Sequence, residues 1–339
     1  MTPLPPPSRP FLVPVLAALF ALAAAAVALG IGRASIPIGD VVRALSGGDV
    51  APDVAAIVRR DRCPRVALGL AVGAALSTAG VLLQALLRNS LADPYVVGVG
   101  PGALLGAASS GALGLSMTTV LGLSGTGACA FAGAAVAAML VLGVARGGGS
   151  GAGASARLVL AGVAVGSFAT AIATWMLYVE DPSWQNAIQW LLGTLAWADG
   201  TRVRAATLAA VVLVPLAWVR ARDLDALALG EESARLVGVD TRRTVPFLAG
   251  AACLLTAMTV ATAGLVSFVG LVVPHVARRL AGPRHRVLIP TAAALGAGLL
   301  VLSDAVARRV ASVEIPVGVV TALIGAPVFG WLVVKGARK

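Results

Sequence analysis

Chemistry in this chain would have to come from very few residues. Its 339 residues contain two histidines (His275 and His285), three cysteines (Cys63, Cys129 and Cys253), and lysine only at positions 335 and 339. The histidines stand ten residues apart and the cysteines much further, so neither set has the short spacing of a metal site or disulfide framework. With no lysine before position 335, a G-x-x-x-x-G-K-[ST] phosphate loop is excluded, and ATP hydrolysis through that motif has to reside in another polypeptide. Of fifteen acidic residues only Asp304 falls within a long apolar run, with Arg308 one turn later to pair with it. Proton- and sodium-coupled carriers generally need more ionisable groups in the bilayer than that. Arginine, by contrast, is abundant and concentrated. Residues 59–65 read RRDRCPR, four arginines in seven, directly before VALGLAVGAALSTAGVLLQALL (66–87).

The elements that hold these residues are membrane spans. Hydrophobic residues make up 58% of the chain and charged residues 12%, about half the charge of a soluble domain, and the mean hydropathy is +0.93. A bilayer core of about 30 Å requires about 20 apolar residues per helix. Such runs lie near 11–32, 66–87, 95–115, 125–145, 158–179, 203–219, 245–265, 287–307 and 315–334. The run 268–277 (FVGLVVPHVA) is too short to cross alone, and neighbouring helices must bury the ends of such a half-length helix. Counted as a broken span, it gives about ten crossings in an all-α, polytopic fold, with both termini on one side. The first run is longer than a signal-peptide core and lacks a clear cleavage box, so it reads as a true span. Unbroken apolar runs exclude transmembrane strands. The forty glycines read as small residues that let helices approach closely.

With the N-terminus cytoplasmic, Lys and Arg divide 16 inside to 10 outside, a weak bias that agrees with the positive-inside rule. Six of the ten outer residues fall within 33–65, around the arginine heptad. The net charge of +11 does not indicate nucleic acid, because the arginines lie at span ends and in loops. On the cytoplasmic side GGGSGAG (147–153) reads as a flexible linker. The segment LDALALGEESARLVGVDTRR (224–243) has soluble-helix character, with Gly230 and Gly238 bracketing one short helix. It carries both charge signs, which favours docking to a protein over anionic lipid.

Five ordered strings resemble the FecCD-like permeases of type II binding-protein-dependent ABC importers, which serve iron chelates, haem and cobalamin. R-x-P-R is matched by Arg62, Pro64 and Arg65. Q-x-x-x-x-N-x-L-A-D-P-x-x-x-G-V is matched by Gln84, Asn89, Leu91, Ala92, Asp93, Pro94, Gly98 and Val99. L-G-E-E-x-A-R-x-x-G-V runs from Leu229 to Val239. F-x-G-L-x-x-P-H-x-x-R is matched by Phe268, Gly270, Leu271, Pro274, His275 and Arg278, and E-x-P-x-G-V-V-T-A-x-I-G-A-P-x-F runs from Glu314 to Phe329. The resemblance extends from about residue 60 to the end. Departures are Cys63 where an aliphatic is usual, Ser90 for a common proline, and Gly100-Pro101-Gly102 for a Ser-rich turn.

The resemblance implies the type II ABC importer permease fold, with residues 1–339 forming one transmembrane domain and 220–243 its cytoplasmic coupling loop. It implies a homodimer with the pathway between the subunits, two ATP-binding cassette ATPases, and one extracytoplasmic binding protein. No cofactor belongs to this chain, since ATP-Mg is bound by the partner subunits, and the chain is not itself an enzyme. Leu229, Gly230, Glu231, Glu232, Arg235 and Gly238 would couple to the ATPases. Asn89, Leu91 and Ser155 would belong to the cytoplasmic gate, and Arg62, Arg65 and Arg308 would receive acidic groups of the binding protein. Pro274-His275 and Glu314-x-Pro316 read as helix-boundary structure. The expected cargo is an iron chelate, a ferric siderophore or haem. Cobalamin within the same family is the alternative, and a secondary transporter is an alternative of another class. The expected location is the cytoplasmic membrane, with both termini inside.

Overall fold

In lipid, an apolar segment satisfies its backbone only as a helix or in a closed barrel, and this chain takes the first route. The computed structural model describes residues 11–32, 34–115, 119–120, 123–147, 154–180, 192–310 and 313–337. Helix α1 (Leu12–Gly30) is followed by α2 (Ile38–Ser46) and α3 (Pro52–Ala56), which runs through a π-helical turn, Ile57–Arg62, into α4 (Cys63–Leu86). A 3-10 turn at Pro94–Val97 leads to α5 (Val99–Ala112), then α6 (Gly125–Gly147), α7 (Ala154–Glu180) and α8 (Gly200–Val219). Two short helices, α9 (Ala221–Ala228) and α10 (Glu231–Leu236), precede α11 (Thr241–Ala263), α12 (Val269–Ala281), α13 (His285–Ala307) and α14 (Val317–Ala337). Thr119–Val120 pairs antiparallel with Leu123–Ser124 between α5 and α6.

Among the described residues seven helices are long and apolar enough to cross a membrane, and two expected crossings are shorter. The run 95–115 loses its first turn because Asp93-Pro94 starts a 3-10 turn and Gly98, at φ 75°, restarts the chain as α5. The broken span becomes the 13-residue α12, whereas α14 runs 21 residues, Val317–Ala337. Pro274 lies inside α12, which corrects its reading as a helix boundary, whereas Glu314-x-Pro316 does precede α14.

Helix α4 is the axis of the bundle, packed against α8, α11, α12 and α13. Its approach to α13 and α12 is set by glycine. A Cβ on Gly73 would lie 2.3 Å from the Gly296 carbonyl, and one on Gly80 would lie 1.8 Å from that of Gly270. At these crossings backbone touches backbone, and dispersion replaces the hydrophobic drive that lipid cannot supply. Around this interior, α1, α6, α7 and α8 turn Leu19, Leu140, Phe168 and Val211 outward.

The continuous helical stretch Pro52–Leu86 is 35 residues long, about 50 Å at 1.5 Å per residue. It therefore overshoots the hydrocarbon core, and the overshoot carries RRDRCPR. Pro64 lacks an N–H and its ring opposes the carbonyl four residues back. The wide turn Ile57–Arg62 accommodates it without ending the helix.

Candidate functional site

The two clusters singled out by the sequence lie at opposite ends of α4. At one end α9 and α10 fold back onto the bundle. Helix α9 buries Leu224 and Leu227, and Asp225 accepts from the His285 backbone N–H at 2.9 Å, with the His285 Nδ1 at 2.7 Å. Burial alone would raise the Asp225 carboxyl. The two bonds from His285 and the Arg284 charge overcome it and hold the group below the usual carboxylate range. Gly230 joins α9 to α10 at φ 118°, a conformation that an L side chain adopts only with strain. Glu231 and Glu232 then occupy the first turn of α10 and Arg235 its last, the charge order that the helix dipole favours. Arg235 pairs with Glu231 at 3.4 Å and donates from Nε to Thr241 Oγ1 at 2.8 Å. Gly238, at φ 89°, closes the turn, and Asp240 caps α11 by accepting from the Arg242 and Arg243 N–H groups.

This pair of helices and the turn after it present exposed apolar side chains beside charged ones. Leu229 is 77%, Leu236 89% and Val237 72% exposed, around the charged pair of α10. Exposed apolar side chains rimmed by charge mark a protein or membrane contact. The expected coupling residues Leu229, Gly230, Glu231, Glu232, Arg235 and Gly238 are thus all brought onto one small projecting element.

The loop after α4 lies against it. Arg88 has φ 49°, and its guanidinium nitrogen stands 3.5 Å from where a Gly230 Cβ would be. Asn89 Oδ1 accepts from the Leu91 N–H at 2.9 Å, an Asx turn that leaves Leu91 exposed. Asp93 accepts from the Tyr95 N–H at 2.8 Å, and its burial pushes the carboxyl up to about 6. The Tyr95 hydroxyl in turn accepts from the Val266 N–H at 3.1 Å. Val266 lies in the break between α11 and α12, where Phe268 also has a positive φ of 66°. The Thr194 N–H donates to the Ala263 carbonyl at 2.8 Å, and Gln84 Nε2 donates to the Leu271 carbonyl at 3.2 Å. Neighbouring segments thus satisfy the broken backbone, as lipid requires. Expected gate residue Ser155 falls in the first turn of α7, its side chain outside the described residues, as is most of the 147–153 linker.

At the other end Arg62, Arg65 and Arg308 come together, but they face inward. They are 1%, 4% and 4% exposed. Arg62 donates to the carbonyls of Leu29 (2.7 Å), Gly30 (3.2 Å) and Ala34 (2.6 Å), and Arg308 donates to that of Ala28 (3.2 Å). The two guanidinium groups therefore cap the C-terminal carbonyls of α1, where orphan acceptors and the negative end of the helix dipole coincide. Arg65 is clamped between Asp304, at 3.1 Å, and Glu314, and Asp304 also takes Arg308 at 3.0 Å. The expectation that these three guanidinium groups meet an incoming partner directly is therefore revised for the free chain. Arg59, Arg60 and Arg309 at the same end are exposed instead.

The chain matches the FecCD transport family over residues 18–335. It belongs to that family. It is 41% identical over 276 residues to the cobalamin import system permease protein BtuC of Halobacterium salinarum, covering 81% of this chain and 73% of that protein. It is 38% identical over 281 residues to the vitamin B12 import system permease protein BtuC of Escherichia coli, covering 82% and 83%. The solved inward-facing structure of a metal-chelate type ABC transporter superposes with a TM-score of 0.82 at 28% identity, over 95% of this chain and 99% of that one. The PsaBC structure from Streptococcus pneumoniae shares the fold, with a TM-score of 0.60 at 18% identity over 81% and 91%. As a FecCD-family chain this is a multi-pass permease of an ABC importer, with type II architecture.

Within the FecCD frame, two positioning residues are hidden from the sequence. Glu314 reads there only as helix-boundary structure, and His285 stands as an edge histidine. Each works through a partner at least 60 positions away in the chain, Arg65 and Asp225 respectively. Only a three-dimensional contact reveals the role.

Proposed function

We propose that two copies of this chain form the membrane channel of an importer that moves a corrinoid of the cobalamin class across the cytoplasmic membrane. An extracytoplasmic binding protein delivers the cargo, and two ATPase subunits seated on α9 and α10 drive it. Both termini lie on the ATPase side. The observation that carries the cargo assignment is the 41% identity to a cobalamin import permease, which favours cobalamin over the iron chelate expected from the sequence. An iron chelate is the second reading, supported by the likeness to a metal-chelate type transporter.

A bulky chelate needs a wide, weakly holding route. A cavity of about 640 Å³ opens where Leu265 and Ser267 meet Val319 and Leu323 of α14, a wall without a charge to retain cargo. We assign this wall and the outward face of α14 to the pathway between the two copies. ATP binding closes the ATPases, α9 and α10 carry the movement to Asp225–His285 and Arg88, and the spans rock between outward- and inward-open states. Titration of cobalamin, a ferric siderophore and haem into the cognate binding protein, followed by uptake into vesicles holding the whole importer, tests the reading. Binding and ATP-dependent uptake of cobalamin are expected. Uptake of the siderophore or haem instead would transfer the assignment to iron, and uptake without ATPase subunits would overturn the importer reading altogether.

A further inference from the structure

A second cavity, of about 850 Å³, lies at the coupling end on the lipid-facing side, between α1, α8 and α13. Its floor is apolar, formed by Phe11, Pro14, Val214, Pro215, Ile289 and Pro290. Two of these prolines lie inside α8 and α13, where a missing N–H frees the carbonyl four residues earlier. For Pro290 that carbonyl belongs to Arg286, and the Trp218 indole N–H donates to it at 2.9 Å. The tryptophan is thereby fixed at the mouth of the groove, with the Arg286 guanidinium 5.7 Å from its ring centroid.

The rim is basic. Arg222, Arg284 and Arg286 line it and are exposed, and among the described residues none of the three takes part in a salt bridge. Asp225, the single carboxylate in the lining, is committed to His285, and nearby Arg220 is paired with Asp223 at 3.1 Å. On either side α1 exposes Leu12, Val15 and Leu16, and α8 exposes Val211, Val212 and Leu216. The groove thus opens among lipid-facing side chains, at the depth where a tryptophan and a row of arginines mark the membrane edge.

We propose that this groove is a binding site for an anionic phospholipid of the surrounding bilayer. The phosphate headgroup sits among Arg222, Arg284 and Arg286, and the acyl chains lie over the apolar floor. A zwitterionic headgroup leaves the three cations uncompensated, and a free phosphate does nothing with the floor, so the shape and charge together select an anionic lipid. The site borders α9 through Arg222 and Asp225 and α13 through His285. An occupied groove would therefore brace the coupling helices, independently of which cargo is carried.

The test uses the full chain in detergent, with phosphatidylglycerol or phosphatidylcholine added and bound lipid counted by native mass spectrometry. Wild-type protein should retain phosphatidylglycerol in preference to phosphatidylcholine. The triple variant Arg222→Gln, Arg284→Gln, Arg286→Gln should weaken that retention about fivefold per arginine and about a hundredfold in all. A charge-matched variant, Arg242→Gln, Arg243→Gln, Arg279→Gln, removes exposed cations elsewhere at the same end and should retain it. Filling the floor with Val214→Trp should eject both lipids while leaving the arginines in place. Equal losses in the two triple variants would reduce the effect to diffuse charge and overturn the site. So would equal retention of the two lipids by the wild type, or displacement of phosphatidylglycerol by inorganic phosphate. None of these readouts depends on transport.

Discussion

A guanidinium removed from water must find acceptors, and that requirement shapes the N-terminal end of α4. Arg62 and Arg65, three apart, share one helical face, and the π turn before Pro64 leaves that face toward α1 and α13. Arg59 keeps one bond, to the Ala44 carbonyl at 2.6 Å, and stays exposed with Arg60. The sequence exposes the cluster and its family pattern, but the facing direction depends on which side of α4 the bundle covers. The Asp304–Arg308 pair was legible, because a one-turn spacing within a single helix needs no tertiary information. Arg65 as a second partner, 239 positions away, was not. Asp93 yields a prediction at the same scale. Its folded value of about 6 lies above the ordinary 3.8, so the fold favours the protonated acid. Its contribution is fully present below about pH 4 and is lost as pH rises through about 6. Amide exchange in residues 87–98, corrected for intrinsic rates, should accordingly be slower at about pH 5 than at about pH 7. Asp93→Asn keeps the acceptor for the Tyr95 N–H and should abolish the difference. If the variant keeps the wild-type profile, another group titrates there.

At the scale of elements, periodicity located the long helices because seven of them carry an unbroken apolar window. It also placed the bracket of Gly230 and Gly238 around α10. It failed where backbone geometry, not hydrophobicity, decides. The 3-10 turn at Pro94 takes the first turn from a run read as one span, and α9 continues almost directly from α8 with only Arg220 between them. The break at the left-handed Phe268 falls where the sequence already divides 245–265 from 268–277. The coupling element makes its own prediction. Glu231→Lys with Glu232→Lys reverses the charge at the N-terminus of α10 and breaks the pair with Arg235, at an exposed site where the fold itself should lose only about 1 kcal/mol. The double variant should insert and pack normally, yet lose most binding-protein stimulation of ATP hydrolysis in the assembled importer. Full stimulation in reconstituted vesicles would mean that the ATPases seat elsewhere. A Leu236→Asp variant, which removes an apolar contact 89% exposed in the free chain, should give the same loss by weakening subunit association.

At the scale of the molecule, α4 connects the arginine heptad at its N-terminal end to the end that carries α9 and α10, through a helix whose crossings are fixed by backbone contact at Gly73–Gly296 and Gly80–Gly270. Such crossings transmit displacement, because there are no flexible side chains to absorb it. On the proposed function, docking at one end and coupling at the other would communicate along this one rigid element, with the arginine heptad at the docking end. Its buried members tie α4 to α1, α13 and the segment before α14, while Arg59 and Arg60 remain exposed and would be free to meet an acidic partner. This division separates two outcomes that a single docking role would merge. Arg59→Glu with Arg60→Glu should leave thermal unfolding unchanged and slow binding-protein association about tenfold at low salt, with the difference shrinking as salt screens it. Arg62→Glu with Arg65→Glu instead places carboxylates against the carbonyls of α1 and against Asp304 and Glu314. Buried like charges and unmade bonds of that kind cost about 3–5 kcal/mol or more, so the expected result is loss of folded protein rather than a selective docking defect. Size-exclusion profiles and thermal unfolding in detergent, alongside surface-capture kinetics with the binding protein, distinguish the two. A folded Arg62, Arg65 variant that merely fails to dock would show that the outer end opens its internal pairs for the partner, and the capping role would then belong to the undocked state alone.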